Sequence, residues 1–164
     1  FSDFARMPKP LFKLNNLNTV IEDKISLVNK FDSSVKIRLV NHLSKEAVLN
    51  FDNEQFNRLF FNLIKNSVES IQEKAEKDSK TDKNIDIEIR QRRDYININI
   101  IDTGTGFKNK TTKDIIKPYF TTKEKGTGLG LSIVDKIISD HEGSIKFLNH
   151  KNGAKIQIII PYNK

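Results

Sequence analysis

Two runs in which every second residue is isoleucine constrain the fold of this chain most strongly. The first covers residues 85–89 and alternates with acidic residues, and the second covers residues 96–100 and alternates with asparagine. A period of two places all the isoleucines of a strand on one face of a sheet. Because only six residues separate the runs, with the charged segment 92–94 among them, the pattern predicts a β-hairpin whose apolar face other elements must cover.

Three segments with apolar residues at helical spacing can provide this cover. The first lies at residues 14–30 and the third at residues 129–141, with Gly143 as its C-terminal stop. The second runs to about residue 77, and either Asp52 or Asn53 can serve as its N-cap. Its wide apolar stripe predicts that this helix packs with one face on the sheet.

Shorter segments complete the predicted fold. Residues 35–39 form a strand with residues 47–51 as its short neighbour, and residues 145–160 form a second hairpin that turns at Asn152-Gly153. Residues 103–125 are predicted to be a long irregular segment. The fold class is therefore α/β (α+β), a two-layer sandwich in which three helices cover one face of a mixed, mostly antiparallel sheet of about five strands.

The composition is that of a globular protein with a basic surface. The chain has 164 residues, no cysteine, and a net charge of +7. More than half of this excess positive charge lies in residues 103–125, which contain six lysines and only two acidic residues. A solvated lysine-rich surface is the plain interpretation, and nucleic acid, anionic lipid or a nucleotide are the possible partners of such a surface.

Two asparagines, Asn62 and Asn66, lie one turn apart on the second predicted helix, at the edge of its apolar face. An amide at this edge can reach a pocket between helix and sheet, and its oxygen can bind Mg²⁺. Two solvent-facing asparagines are the alternative.

A second motif, Asp-Thr-Gly-Thr-Gly, covers residues 102–106 directly after a predicted strand. A carboxylate at this point can accept a hydrogen bond from an exocyclic amine, and Gly104 and Gly106 let the backbone approach a flat ring. The alternative interpretation is a simple turn.

The third motif, Gly-Thr-Gly-Leu-Gly-Leu, covers residues 126–131 at the start of the last predicted helix. Glycine-rich backbone at a helix N-terminus offers N–H groups to phosphate. The spacing matches neither the dinucleotide fingerprint nor the P-loop, so the pattern alone is weak.

A lysine-rich loop that contains residues 117–123 lies between the last two motifs. Together these features resemble the N, G1, F and G2 boxes of the GHKL ATP-binding superfamily, which has the Bergerat fold. The resemblance covers about residues 15–161. It implies that Asp102 accepts from the adenine amine, that Asn66 binds Mg²⁺, and that Asn62 lies beside it. It further implies a mobile lid at residues 103–125, and ATP contacts from Gly104, Gly106, Phe120, Lys123, Thr127, Gly128, Leu129, Gly130 and Leu131.

The residue at position 62 separates the two kinds of chemistry within this superfamily. Members that hydrolyse ATP have a glutamate there as general base, whereas Asn62 cannot accept a proton near neutral pH. Residues 62–66 resemble the N box of bacterial sensor histidine kinases. Glu69, where many of these have a basic residue, together with Ser70, is similar to the nitrogen-sensor NtrB/NtrY branch. A hydrolytic ATPase, a serine kinase of the anti-sigma type and a basic nucleic-acid-binding module remain as alternatives.

None of the three histidines, His42, His141 and His150, stands in the sequence context of the family's phosphoacceptor. The resemblance therefore implies a catalytic domain at residues 15–164 without a catalytic residue of its own. Residues 1–14 would be an extended lead-in from an absent dimerisation domain. That domain and a response regulator are the implied partners. We expect no nucleic-acid partner, a monomeric fragment of a homodimeric protein, a cytoplasmic location, and membrane attachment only through absent upstream segments.

Overall fold

The isoleucine-rich segments form the hairpin that their alternation predicts. A computed structural model describes residues 7–117 and 130–162 of the chain. In it, strand β4 (Asn84–Arg92) pairs with β5 (Tyr95–Asp102) in antiparallel register, so that Ile87 lies opposite Ile100. All six isoleucines are completely buried. The hairpin turns through Arg93, which has a φ of 54°.

The remaining elements extend this hairpin into a sheet and cover it. Their bounds are β1 Lys13–Asn16, α1 Leu17–Phe31, β2 Lys36–Asn41, β3 Val48–Phe51, α2 Asn53–Lys77, α3 Thr112–Ile115, α4 Gly130–Asp140, β6 Ser144–His150 and β7 Gly153–Pro161. The main sheet has the order β2-β4-β5-β7-β6, in which only β2 and β4 run parallel. The predicted five-stranded, mostly antiparallel sheet with three covering helices is therefore confirmed.

One predicted strand pairing is wrong. Strand β3 was expected beside β2, but it pairs instead with β1, with Phe51 opposite Lys13, in a separate two-stranded sheet. Strand β2 instead pairs with β4 in parallel register, because this pairing aligns Ile37 with Ile85 on the buried face. Helix α1 begins at Leu17 and not at residue 14 as predicted, because residues 13–16 form β1. The Asn16 side chain caps the helix by accepting from the backbone N–H of Asn18.

Helix α2 supplies the largest part of the core. Asp52 is its N-cap and accepts a hydrogen bond of 2.9 Å from the backbone N–H of Gln55. Its apolar face includes Phe56, whose ring stacks on Phe51 with the ring centroids 4.4 Å apart. Because this face is packed against the sheet, all remaining residues of α2 have a fixed position relative to the strands.

The end of α4 differs in detail from the prediction. Gly143 was expected to provide the left-handed stop, but the left-handed residue is Glu142, with a φ of 60°. The backbone N–H of Gly143 donates to the Ile138 carbonyl at 2.9 Å, as in a Schellman motif. Gly143 is needed for another reason, because a Cβ there would lie 2.4 Å from the carbonyl oxygen of Ile159.

His141 connects the end of α4 to the start of α2. It is only 4% exposed, and its Nε2 accepts from the backbone N–H of Asp52 at 3.0 Å. Its Nδ1 therefore carries the proton and donates to the Ile137 carbonyl at 2.7 Å. Burial lowers the pKa of His141 below 6.5, although the Ile137 carbonyl and the charges of Asp52 and Asp140 oppose this shift.

This environment predicts a pH-dependent stability. Because the pKa of His141 is lower in the folded state, the unfolded chain takes up the proton first, and the stability from the neutral ring is lost as the pH falls through 6.5 and below. We expect His141→Gln to weaken the fold at pH 8 by about 1–2 kcal/mol, yet to lose less stability than the wild type between pH 8 and pH 5. Urea unfolding at both pH values measures this, and His150→Gln, which alters a hairpin histidine, should behave as the wild type.

Within the described residues, no helix combines the length and the apolar character required to cross a membrane.

Candidate functional site

The two predicted asparagines lie on a single flank of α2. Asn62, Asn66 and Ser70 follow one another at intervals of four residues, and all three are half-buried. Ser67, next to Asn66, is buried beneath this flank. The flank therefore borders the sheet rather than bulk solvent, as expected for amides that reach into a pocket.

Asp102 ends strand β5 beneath this flank. It is only 4% exposed, and its Oδ1 accepts from the backbone N–H groups of Gly104 at 2.9 Å and Ala154 at 3.3 Å. Burial raises the pKa of Asp102 above its ordinary 3.8, and the backbone hydrogen bonds from Gly104 and Ala154, together with the nearby Ser67 hydroxyl, oppose this shift. The Ser67 hydroxyl is close enough to affect this pKa, although its oxygen has no hydrogen-bond partner of good geometry among the described residues.

The loop after Asp102 is fixed to α2 through Ser70. The Ser70 hydroxyl accepts from the backbone N–H of Thr105 at 2.9 Å and also contacts the Thr105 hydroxyl at 2.9 Å. A Cβ on Gly104 would lie 2.3 Å from the Ser70 Oγ, so the close approach of loop and helix requires glycine. Ser70 was noted in the sequence only as a mark of the family branch, since nothing in the local pattern identifies its long-range partner.

The same loop is fixed on its other side by Asn149 of β6. The Asn149 Oδ1 accepts from the backbone N–H of Phe107 at 2.7 Å, and its Nδ2 donates to the Lys108 carbonyl at 2.7 Å. Gly106 adopts a φ of 74°, and a Cβ there would lie 2.8 Å from the Asn149 Oδ1. Both predicted glycines therefore have a backbone role, and Asn149 is a positioning residue that the sequence did not reveal.

The segment predicted as an irregular lid contains one ordered turn. Helix α3 (Thr112–Ile115) has a capping box in which Thr111 and Asp114 bond each other's backbone N–H groups. The Thr112 hydroxyl accepts from the backbone N–H of Phe147 at 3.0 Å, which holds this turn against β6. Residues 103–117 thus follow the sheet edge in a defined path.

The predicted phosphate-binding residues are only partly covered by the structure. Gly130 and Leu131 open the described part of α4, where both are half-buried. The predictions for Phe120, Lys123, Thr127, Gly128 and Leu129 fall outside the described residues.

The structure therefore brings a helix flank with amides and a strand end with a carboxylate to the same place. Ser67 and Ser70 join them, since one lies close to Asp102 and the other bonds the loop that follows it. A buried acceptor, a glycine surface and the Ser67 hydroxyl, which has no partner in the part of the chain that the structure describes, provide the donor and acceptor set that a purine ring requires. An amide oxygen on the adjacent turn suits a hard cation.

Comparison with known proteins agrees with this architecture. The family model of histidine kinase-, DNA gyrase B- and HSP90-like ATPases matches residues 51–164, so the chain belongs to this family of ATP-binding domains. It is 33% identical over 159 residues to the nitrogen regulation protein NtrY of Azorhizobium caulinodans, and these residues make up 93% of this chain and 20% of that protein. It is also 29% identical to the signal transduction histidine-protein kinase AtoS of Escherichia coli, over 98% of this chain and 26% of that protein.

The fold is likewise that of a known kinase domain. The catalytic domain of the histidine kinase ThkA aligns with a TM-score of 0.79 and 26% identity, covering 94% of this chain and 99% of that chain. The chain is thus a histidine kinase-type ATPase domain, and the predicted similarity to NtrY-like kinases is confirmed. It spans only about a fifth to a quarter of the NtrY and AtoS proteins.

Proposed function

We propose that this domain binds ATP with Mg²⁺ and transfers the γ-phosphoryl group to a histidine on a separate dimerisation domain, for relay to a response regulator. The observation that carries this proposal is the buried Asp102 carboxylate, held by two backbone N–H groups beside a glycine that packs on α2. Family membership supports the ATP-binding part, and the similarity to sensor histidine kinases supports the acceptor.

In this proposal Asp102 accepts from the adenine amine, and Gly104 and Gly106 keep the loop close enough for the ring to enter. Asn66 would hold Mg²⁺ by its amide oxygen, and a cation bound there would neutralise charge on the phosphates. Asn62 lies one turn away and provides no general base, which favours transfer to an imidazole over hydrolysis.

The remaining contacts come from the predicted lid and the glycine-rich segment. Backbone N–H groups at the start of α4, at Gly130 and Leu131, are suited to phosphate oxygens. Contacts from Phe120, Lys123, Thr127, Gly128 and Leu129 remain predictions from the sequence. The lysine-rich lid would then neutralise phosphate, which accounts for the local positive charge without a nucleic-acid partner.

The proposal is tested by mixing the chain with γ-labelled ATP, Mg²⁺ and a separately made dimerisation domain from a similar NtrY-like kinase. We expect label on that domain's histidine, and none when its histidine is replaced by glutamine. An absence of transfer at saturating ATP would contradict the kinase proposal, and a sustained ATPase rate from the isolated chain would instead favour a hydrolytic role. The cytoplasmic location and the homodimeric full-length protein belong to the same proposal.

Asn66→Asp should separate metal binding from adenine recognition. A carboxylate at this position changes the charge of the metal site but leaves Asp102 and the glycine loop untouched. We expect the affinity for ATP with Mg²⁺ to change by about tenfold or more, and the affinity for adenosine to stay within about twofold. Calorimetric titrations with and without Mg²⁺ measure both, with Asn53→Asp, a substitution at an exposed position in the first turn of the same helix, as control.

A further inference from the structure

A second concave region lies on the side of α2 that faces α1. It is a groove of about 580 Å³ between the last two turns of α1 and the middle and end of α2. Its apolar floor consists of four residues, Val28, Phe31, Phe61 and Val68. The two valines are buried, whereas Phe31 is 77% exposed, although phenylalanine is among the residues most often found inside proteins.

The rim of this groove is acidic. It carries four acidic residues and one lysine, namely Asp32, Glu69, Glu73, Glu76 and Lys65. The lining residues therefore carry a net charge of −3, or −2 when Lys83 is included, because its Nζ donates to the lining residue Gln72 at 2.9 Å. The overall net charge of the chain is +7. Such a local reversal of sign in a basic protein marks the groove as electrostatically different from its surroundings.

The acidic residues divide into two kinds. Asp32 is held in place, since it accepts from the Ser34 hydroxyl at 2.6 Å and from the Gln72 amide, and these bonds lower the pKa of Asp32. Lys65 lies 3.8 Å from Glu69. Glu73 and Glu76 are exposed on the last turns of α2 and form no ion pair with another described residue. Their charges are thus available to a ligand.

We propose that this groove, defined by Val28, Phe31, Phe61 and Val68 with Glu73 and Glu76 at its rim, docks a cationic amphipathic helix of a partner protein. The floor accepts a bulky apolar side chain, and the rim attracts lysines or arginines beside it, as in helix-in-groove recognition. Nucleic acid and anionic lipid would be repelled by the rim. Two copies of this chain would repel each other because each has a net charge of +7, which disfavours self-association.

The probe is a synthetic 14-residue helical peptide with leucine and phenylalanine at positions i, i+3, i+4 and i+7 and lysine at the others. A matched peptide has glutamate in place of every lysine. We expect the full chain to bind the lysine peptide at least about tenfold more tightly than the glutamate peptide in fluorescence anisotropy, with affinity that falls as salt is added.

Matched variants then test whether the peptide binds in this groove. Glu73→Lys with Glu76→Lys should weaken the lysine peptide by at least about tenfold, and Phe31→Ala by about fivefold, because both remove contacts of the groove. The control is Glu22→Lys with Glu46→Lys, which makes the same change in net charge at exposed positions outside the groove. All three proteins should bind ATP as the wild type does, so the test is independent of the proposed kinase function.

Three outcomes would overturn the proposal. Equal losses from the rim variant and its control would show that the peptide binds only the overall charge. Equal affinities for the two peptides would show that the acidic rim does not contribute to binding. A dimer in sedimentation that Phe31→Ala dissociates would show that the groove takes a second copy of the chain rather than a cationic partner.

Discussion

Asp102→Asn is expected to reduce the affinity for ATP by at least about 100-fold, which corresponds to about 2.7 kcal/mol. The Oδ1 of Asp102 is already engaged by the backbone N–H groups of Gly104 and Ala154. The second oxygen is the acceptor proposed for the adenine amine, and asparagine would present an NH₂ group in its place. Two donors would then face each other in a buried site, where neither reaches water. Calorimetric titration with ATP measures the loss.

Stability distinguishes this loss from unfolding. Because burial raises the pKa of Asp102, its ionised form is disfavoured in the fold, and a neutral amide should not lower the melting temperature. For the same reason, acidification should weaken ATP binding by the wild type at a higher pH than the ordinary pKa of 3.8 would give. The variant should lack this dependence.

Asp86→Asn is the matched control for Asp102→Asn. Asp86 lies on the adjacent strand β4, and its carboxylate contacts Arg38 at 3.1 Å on the face without helices. The substitution Asp86→Asn removes the same charge but leaves the glycine loop unchanged, so ATP affinity should stay within about twofold of the wild type. Binding of ATP by folded Asp102→Asn at the wild-type level would refute the proposed adenine site.

The parts of the fold that the sequence predicts well are those in which a local period encodes the buried face. The alternation at residues 85–89 and 96–100 defines both the hairpin and its register, since a slip by one residue would expose every isoleucine. The same reasoning locates Asp102, because the strand ends where the alternation ends. The flank of α2 with Asn62 and Asn66 follows from the helical period in the same way.

Other features depend on contacts between distant parts of the chain and have no local signal. Strand β3 has only four residues, so its own pattern cannot choose between β1 and β2 as a neighbour. The close approach of Gly104 to Ser70 joins two elements 34 positions apart, and nothing in either segment alone indicates the distance. Asn149 looks like an ordinary strand residue until the loop that it bonds is placed beside it.

Gly153 is the position with the largest expected effect among those whose role the local sequence does not indicate. The sequence assigns it to the turn of the last hairpin, but the turn is made by Lys151 and Asn152, with a φ of 47° at Lys151, and Gly153 begins β7. A Cβ on Gly153 would lie 2.0 Å from the carbonyl oxygen of Asp102 and 2.9 Å from the Cα of Thr103. Glycine is required here because the two backbones approach each other, not because of its own dihedral angles.

Gly153→Ala should therefore damage both the fold and the site. The atoms that a Cβ would meet belong to backbone, so no side chain can move aside, and the end of β5 must shift together with the Asp102 carboxylate. We expect a loss of about 1–3 kcal/mol in the free energy of unfolding, and at least about a tenfold loss in ATP affinity measured where the variant is fully folded.

Asn152→Ala provides the matched comparison for Gly153→Ala, since it makes a small change at an exposed position in the same hairpin and leaves the backbone contact intact. Its stability should change by less than about 0.5 kcal/mol, with ATP affinity as in the wild type. If Gly153→Ala lost stability but kept full ATP affinity, the strand end could move without disturbing the site, and Asp102 would not be the fixed acceptor on which adenine recognition depends. If it lost neither, the close approach of β7 to β5 would not constrain the strand end at all.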